Sequence, residues 1–155
     1  MIEIEYLVDV PYYLPVVATW VFREWCREDG SLGQVVSRYK QRLSRGRIPL
    51  TLVAVKDGAS VGVISLKLDE LPTRPDLFPW LGSLYVVPEH RGEGIGMLLV
   101  RRAEFIAQEQ GVGMLFAFTD SLGNLCEREG WVYIGDEPYR NEKNVSIYGK
   151  NIMSP

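Results

Sequence analysis

The stretch VVPEHRGEGIG, residues 86–96, joins an apolar run to a helical one through Pro88, a charged patch and glycines at 92, 94 and 96. Upstream, residues 80–87 form a β-rich run that Pro88 ends, because proline has no N–H for a sheet ladder. Downstream, Ile95, Leu98, Leu99, Ala103, Ile106 and Ala107 recur with the 3.6-residue period of a helix running from about Gly94 to Gly111. GMLFAFT, residues 113–119, then supplies a second strand. Strand, glycine turn, helix and strand make a βαβ unit, which commits the chain to a sheet with helices packed on it.

The flanking segments extend that sheet. Residues 2–8 alternate apolar and polar like a half-buried strand, and a helical stripe over about 11–28 carries Leu14, Val17, Ala18, Val21, Phe22 and Trp25 before Gly30. A second helical pattern runs from about Ser31 to Arg45. Residues 50–56 and 60–68 are β-rich and joined through Asp57-Gly58, a strong hairpin signal. Residues 69–79, with three prolines and three acids, read as an ordered loop. A short helix at 121–129 and strands at 131–136 and 144–152 complete the order β-α-α-β-β-β-α-β-α-β-β. The expected fold class is α/β, a mixed sheet with helices on both faces, in one domain spanning residues 1–155.

Charge and cysteine content narrow the function classes. A net charge of −3 supplies no basic field for nucleic acid, so none is expected as a partner. The basic residues Arg38, Lys40, Arg42, Arg45 and Arg47 lack interleaved aromatic platforms and read as a solvated helix face. Two cysteines, Cys26 and Cys126, have no metal-type spacing, so the expectation is no metal and a reduced, cytoplasmic setting. The apolar run 12–22 is short and broken by Pro15, so no membrane span is expected.

A glycine turn feeding a helix leaves backbone N–H groups aimed out of the helix N-terminus, where the helix dipole favours an anion. Glycine allows close backbone approach, and Arg91 adds a permanent charge. No Gly-Lys-Ser/Thr follows, and glycines at 92, 94 and 96 do not meet the Gly-x-Gly-x-x-Gly spacing, so the turn fits neither a Walker nor a Rossmann site. A different pyrophosphate carrier, or a plain tight turn, remains.

The segment LGSLYVVPEHRGEGIGMLLVRRAEFIAQEQG resembles the acetyl-CoA-binding core of the GCN5-related N-acetyltransferases, and LCEREGW (125–131) resembles a later signature of the same family. The resemblance implies a splayed central sheet, a GNAT-like acyl-CoA N-acyltransferase fold and acetyl-CoA as cosubstrate. It places the CoA pyrophosphate on the backbone of Arg91, Gly92, Glu93, Gly94, Ile95 and Gly96. It lays the pantetheine arm beside Leu84, Tyr85, Val86 and Val87, with Val86 foremost in bonding its amides, and puts Thr119 near the cofactor. It also implies homodimers, frequent among relatives.

Where many relatives carry a tyrosine placed to protonate the departing thiolate, this sequence has Cys126. A cysteine is acidic enough to donate that proton but shorter, and it also packs as a small hydrophobe, so both readings stand. Tyr133 and Tyr139 are candidate substitutes. An attacking amine must be neutral, and the candidate bases are Asp69 and Glu70 at the end of a central strand; His90 reads as a surface residue of the turn. The function expected is direct acetyl transfer to a primary amine, small or on a peptide. The acidic loop 69–76 mildly favours a cationic acceptor. The alternative is an acetyl-CoA-binding sensor with weak or no catalysis.

Overall fold

The computed structural model describes residues 1–28, 30–118, 129–139 and 143–153. Seven strands lie in one mixed sheet among these residues: β1 (Ile2–Tyr6), β2 (Leu50–Lys56), β3 (Ala59–Lys67), β4 (Trp80–Val86), β5 (Met114–Phe118), β6 (Val132–Pro138) and β7 (Asn144–Asn151). Their spatial order is β1-β2-β3-β4-β5-β7-β6. The first four pair antiparallel, as do β5 with β7 and β7 with β6. The hairpin turn between β2 and β3 has Asp57 and Gly58 both at positive φ, 51° and 78°, the twist that two-residue hairpins favour.

Helices cover both faces. One carries α1 (Leu14–Val21) and α2 (Leu32–Lys40), whose buried Leu14, Val17, Ala18, Val21, Val35 and Tyr39 cluster with Val53 and Val63 of the sheet. The other carries α3 (Ile95–Glu109), whose Ile95, Leu99, Val100, Ala103, Ile106 and Ala107 pack on Leu50, Leu52, Ile64, Leu66 and Leu81. Adjacent positions such as Leu52 and Val53 serve opposite faces because side chains alternate along a strand.

The middle of the sheet departs from regular pairing twice. Val63 faces Tyr85 while Ser65 faces Gly82, so β4 carries one extra residue across Ser83 and Leu84, and Ser83 sits at φ 54°. Parallel strands β4 and β5 register only at Trp80 and Phe116, so the sheet opens beyond that joint. Trp80 is fully buried there, its ring centroid 5.9 Å from that of Phe116 and 6.1 Å from that of Phe118.

Several expected boundaries move. The first strand ends at Tyr6 instead of residue 8, and short 3-10 turns at Leu7–Asp9 and Pro11–Tyr13 precede α1. Pro11 and Pro15 supply no N–H, which suits the opening turns of a helix and not its interior. Beyond α1 the helix widens to π geometry over Phe22–Cys26. The second helix closes at Lys40, earlier than the expected Arg45, after starting on a reciprocal capping box between Ser31 and Gln34. The expected helix at 121–129 lies outside the described residues as far as residue 128.

Candidate functional site

Two clefts open on either side of the β4 bulge. The first is lined by Leu84, Tyr85 and Val86 of β4, by His90, Arg91, Gly92 and Gly94 of the turn, and by Ile95, Gly96 and Met97 of α3. Gly92 and Gly94 stand at φ 84° and 83°, a region L-residues enter only at a cost, and a Cβ on either would meet nothing within 4 Å. The glycines therefore serve backbone conformation, and the turn is open to solvent.

Gly94 is the N-cap of α3 and no side chain caps that helix, so its first N–H groups remain available for an anion. Glu93 would oppose one, but Lys56 at 3.1 Å and the His90 ring at 3.1 Å engage its carboxylate and hold its pKa below the usual value. Arg91 folds back, its Nε donating to the Val86 carbonyl at 2.8 Å and its guanidinium 5.4 Å from the Tyr85 ring, which also stacks with Trp20 at 5.5 Å. An uncapped helix start, a collar of left-handed glycines, an arginine and an open strand edge fit the pyrophosphate and amide arm of coenzyme A.

The second cleft lies across the bulge. A recess of about 50 Å³ is lined by Trp25, Arg38, Arg42, Lys67, Glu70 and Ser83, among others, and it opens into a wider cleft that adds Asp69 and residues of the 71–75 loop. Trp25 lines both the recess and the first cleft, and Ser83 and Leu84, adjacent in the bulge, face one each. Lys67 at the end of β3 donates to Glu70 Oε2 and to Ser83 Oγ, both at 2.8 Å. Burial pushes the Lys67 ammonium below its usual pKa, and the Glu70 carboxylate opposes that shift. Tyr39, fully buried beneath, has a phenol raised chiefly by burial; its hydroxyl lacks a hydrogen-bond partner among the described residues.

These placements sort the residues expected from the sequence. Leu84, Tyr85, Val86, Arg91, Gly92, Gly94, Ile95 and Gly96 come together on one wall. Val87 does not: its N–H bonds the Val61 carbonyl and its side chain packs on the core. The Glu93 side chain turns to Lys56. Thr119 and Cys126 lie outside the described residues. Of the two acids, Glu70 faces the recess and is ion-paired, while Asp69 is exposed on the wider cleft. Tyr139 lines the recess, whereas Tyr133 is half-exposed on β6.

Of the three loop acids, Glu70 pairs with Lys67 and Asp76 with Arg74, while Asp69 is exposed on the wider cleft. The basic residues read as one solvated face are in fact divided: Arg38 and Arg42 line the cleft, while Arg45 pairs with Asp9. The available signal was their i, i+4 spacing on the side of α2 that also carries Val35 and Tyr39. Among the described residues no group of three or more His, Cys, Asp or Glu side chains is placed to hold a metal, and no helix is long and apolar enough to cross a membrane.

The family model described as acetyltransferase (GNAT) family matches residues 15–125. No curated protein matches the sequence. Among solved structures, an aminoglycoside 6'-N-acetyltransferase complexed with coenzyme A superposes with a TM-score of 0.77 at 17% identity, over 100% of this chain and 98% of that one. A Salmonella typhimurium protein solved with its cofactor acetyl-CoA gives 0.72 at 16% identity, over 100% and 96%. An acetyltransferase of GNAT family from Streptococcus pneumoniae gives 0.71 at 18% identity, over 97% and 99%.

Proposed function

The chain belongs to the GNAT acetyltransferase family, and from that premise we propose that it passes the acetyl group of acetyl-CoA directly to a primary amine held in the second cleft. The observation that carries this reading is the meeting of the two clefts at the β4 bulge, with Ser83 turned to one and Leu84 to the other. Direct transfer needs donor and acceptor in contact, and a gap at a strand irregularity lets them approach from opposite sides.

Acetyl-CoA supplies the activated thioester. The turn 91–96 and the start of α3 hold its pyrophosphate through backbone N–H groups, and Leu84 to Val86 lie along the pantetheine. Glu70 is the base of choice over Asp69, because its carboxylate sits at the recess beside Ser83 and is fixed by Lys67 at 2.8 Å. It accepts the proton of the attacking amine directly or through one water. Cys126 keeps its two readings, donor of a proton to the leaving thiolate or packing residue.

Thiol release from acetyl-CoA across a panel of small amines and N-terminal peptides tests the proposal. Turnover with at least one amine is expected, with Glu70→Gln lowering kcat about 100-fold while the acetyl-CoA KM holds. Loss of turnover in Cys126→Ala with retention in Cys126→Tyr would assign residue 126 as the acid. Acetyl-CoA binding without thiol release to any amine would sink direct amine transfer.

A further inference from the structure

We infer that the acceptor is an amine that also carries a carboxylate, and that Arg38 and Arg42 hold that carboxylate. The inference rests on the proposed amine transfer and names the substrate class of the same cleft. Arg38 lies on α2 and Arg42 in the turn after it, four residues on, and both guanidinium-bearing side chains line the recess and the wider cleft.

The charge count is one-sided. Among the described residues the recess has three cations, Arg38, Arg42 and Lys67, against one carboxylate, Glu70, which Lys67 already holds. Neither Arg38 nor Arg42 forms an ion pair among the described residues: Arg38 reaches only the Cys26 sulfur at 3.9 Å, and Arg42 stacks 4.9 Å from the Tyr39 ring centroid. Asp69 lies on the wider cleft but not the recess. In a chain of net charge −3, a recess with two guanidiniums that no carboxylate pairs among the described residues is a local exception. Like charges held close raise the energy of the free protein, and an anion brought by the ligand relieves it.

Arginine suits a carboxylate in particular, because its planar fork meets both oxygens, and the stack on Tyr39 holds Arg42 in place beforehand. The same field acts on the amine. Positive charge disfavours an ammonium, so the arriving nucleophile loses its proton more readily beside Lys67, with Glu70 placed to accept it. A polycationic acceptor would meet repulsion here and, among the described residues, find Asp69 as the one unpaired carboxylate of the wider cleft.

The test compares kcat/KM for each of the common amino acids with that for its carboxamide, alongside a polyamine and an aminoglycoside. The amide's amine is the weaker base, so a preference for the acid cannot come from amine ionisation. At least one acid is expected to exceed its amide and the polycations by roughly 10- to 100-fold, the range for losing a charge-assisted hydrogen bond. Arg38→Gln and Arg42→Gln should erase that preference through KM, with the acetyl-CoA KM unchanged and partial rescue by Arg42→Lys. A polycation or amide used as well as the acid, with amine turnover intact, overturns the inference and leaves the proposed function standing.

If no amine is turned over, the proposed function fails, and calorimetry on CoA-loaded protein decides the carboxylate site separately. N-acetyl amino acids binding in preference to their N-acetyl amides, with the preference lost in both arginine variants, supports it. Equal binding or none overturns it.

Discussion

The two clefts share Trp25 and the Ser83–Leu84 bulge but are assembled differently. Ten of the twelve described residues lining the cleft proposed for the cofactor fall between Leu84 and Met97, and the groups proposed to bind there are mostly backbone. The recess proposed for the acceptor draws on α1 and its π extension, α2, the end of β3, β4, β5 and the segment after β6, and the polar groups named in it are side chains. A site made of contiguous backbone can keep one donor while the rest of the chain varies. A site made of side chains from six places can change its acceptor without disturbing the donor.

The largest expected effect disturbs the packing of β4, the strand whose bulge the clefts share. Trp80 is fully buried at the single registered pair between β4 and β5, so Trp80→Ala should cost about 3–5 kcal/mol in a urea melt. It should weaken acetyl-CoA binding and acceptor turnover together. If one cleft survives intact in the folded fraction, the joint does not set both.

The next variant separates them from the acceptor side. Lys67 and Glu70 are 10% and 12% exposed, so Lys67→Met strands a nearly buried carboxylate and should cost about 3 kcal/mol. The double variant Lys67→Met/Glu70→Gln should recover most of that, and both should bind acetyl-CoA with ordinary affinity. From the cofactor side, Gly94→Val forces a β-branched residue to φ 83°, for about 1–2 kcal/mol and roughly a tenfold loss of acetyl-CoA affinity. Binding of the N-acetylated product should not change. Coupled losses in either case would show that the clefts are energetically one.

The same contrast explains what could be read in advance. Proline 88 restricts its own backbone, and glycines 92 and 94 allow the positive φ that other residues avoid, so strand end, turn and helix start followed from local chemistry. Asp57-Gly58 marked its hairpin for the same reason. Arg38 and Arg42 carry no such information: an arginine on a helix is a solvated charge or a ligand hook according to what the sheet places opposite it. Here that is Lys67 and Glu70, about thirty residues away in sequence. The π widening at Phe22–Cys26 and the 3-10 turns before α1 were equally hidden, because an amphipathic stripe does not distinguish helix types.

The smallest effect is a difference in where the clefts titrate. Glu93 at the cofactor turn has a pKa held below its usual value by Lys56 and His90, so its contribution to stability is present above about pH 4.5 and fades as pH falls through the lowered value. Lys67 acts at the other end. Its folded pKa lies below the ordinary 10.5, so between the two values the unfolded chain binds the extra proton and stability rises with pH. Tyr39, raised above 10.0, opposes this once pH exceeds that value, because the unfolded chain then loses its proton first. The comparison is therefore made from about pH 8 to pH 10 by denaturant midpoints of wild type and Lys67→Met. One proton limits the slope to about 1.4 kcal/mol per pH unit, and wild type should rise more steeply than the variant. Parallel curves would mean that the Lys67 ammonium is not disfavoured by the fold, and that the recess tolerates positive charge better than the geometry of its single carboxylate implies.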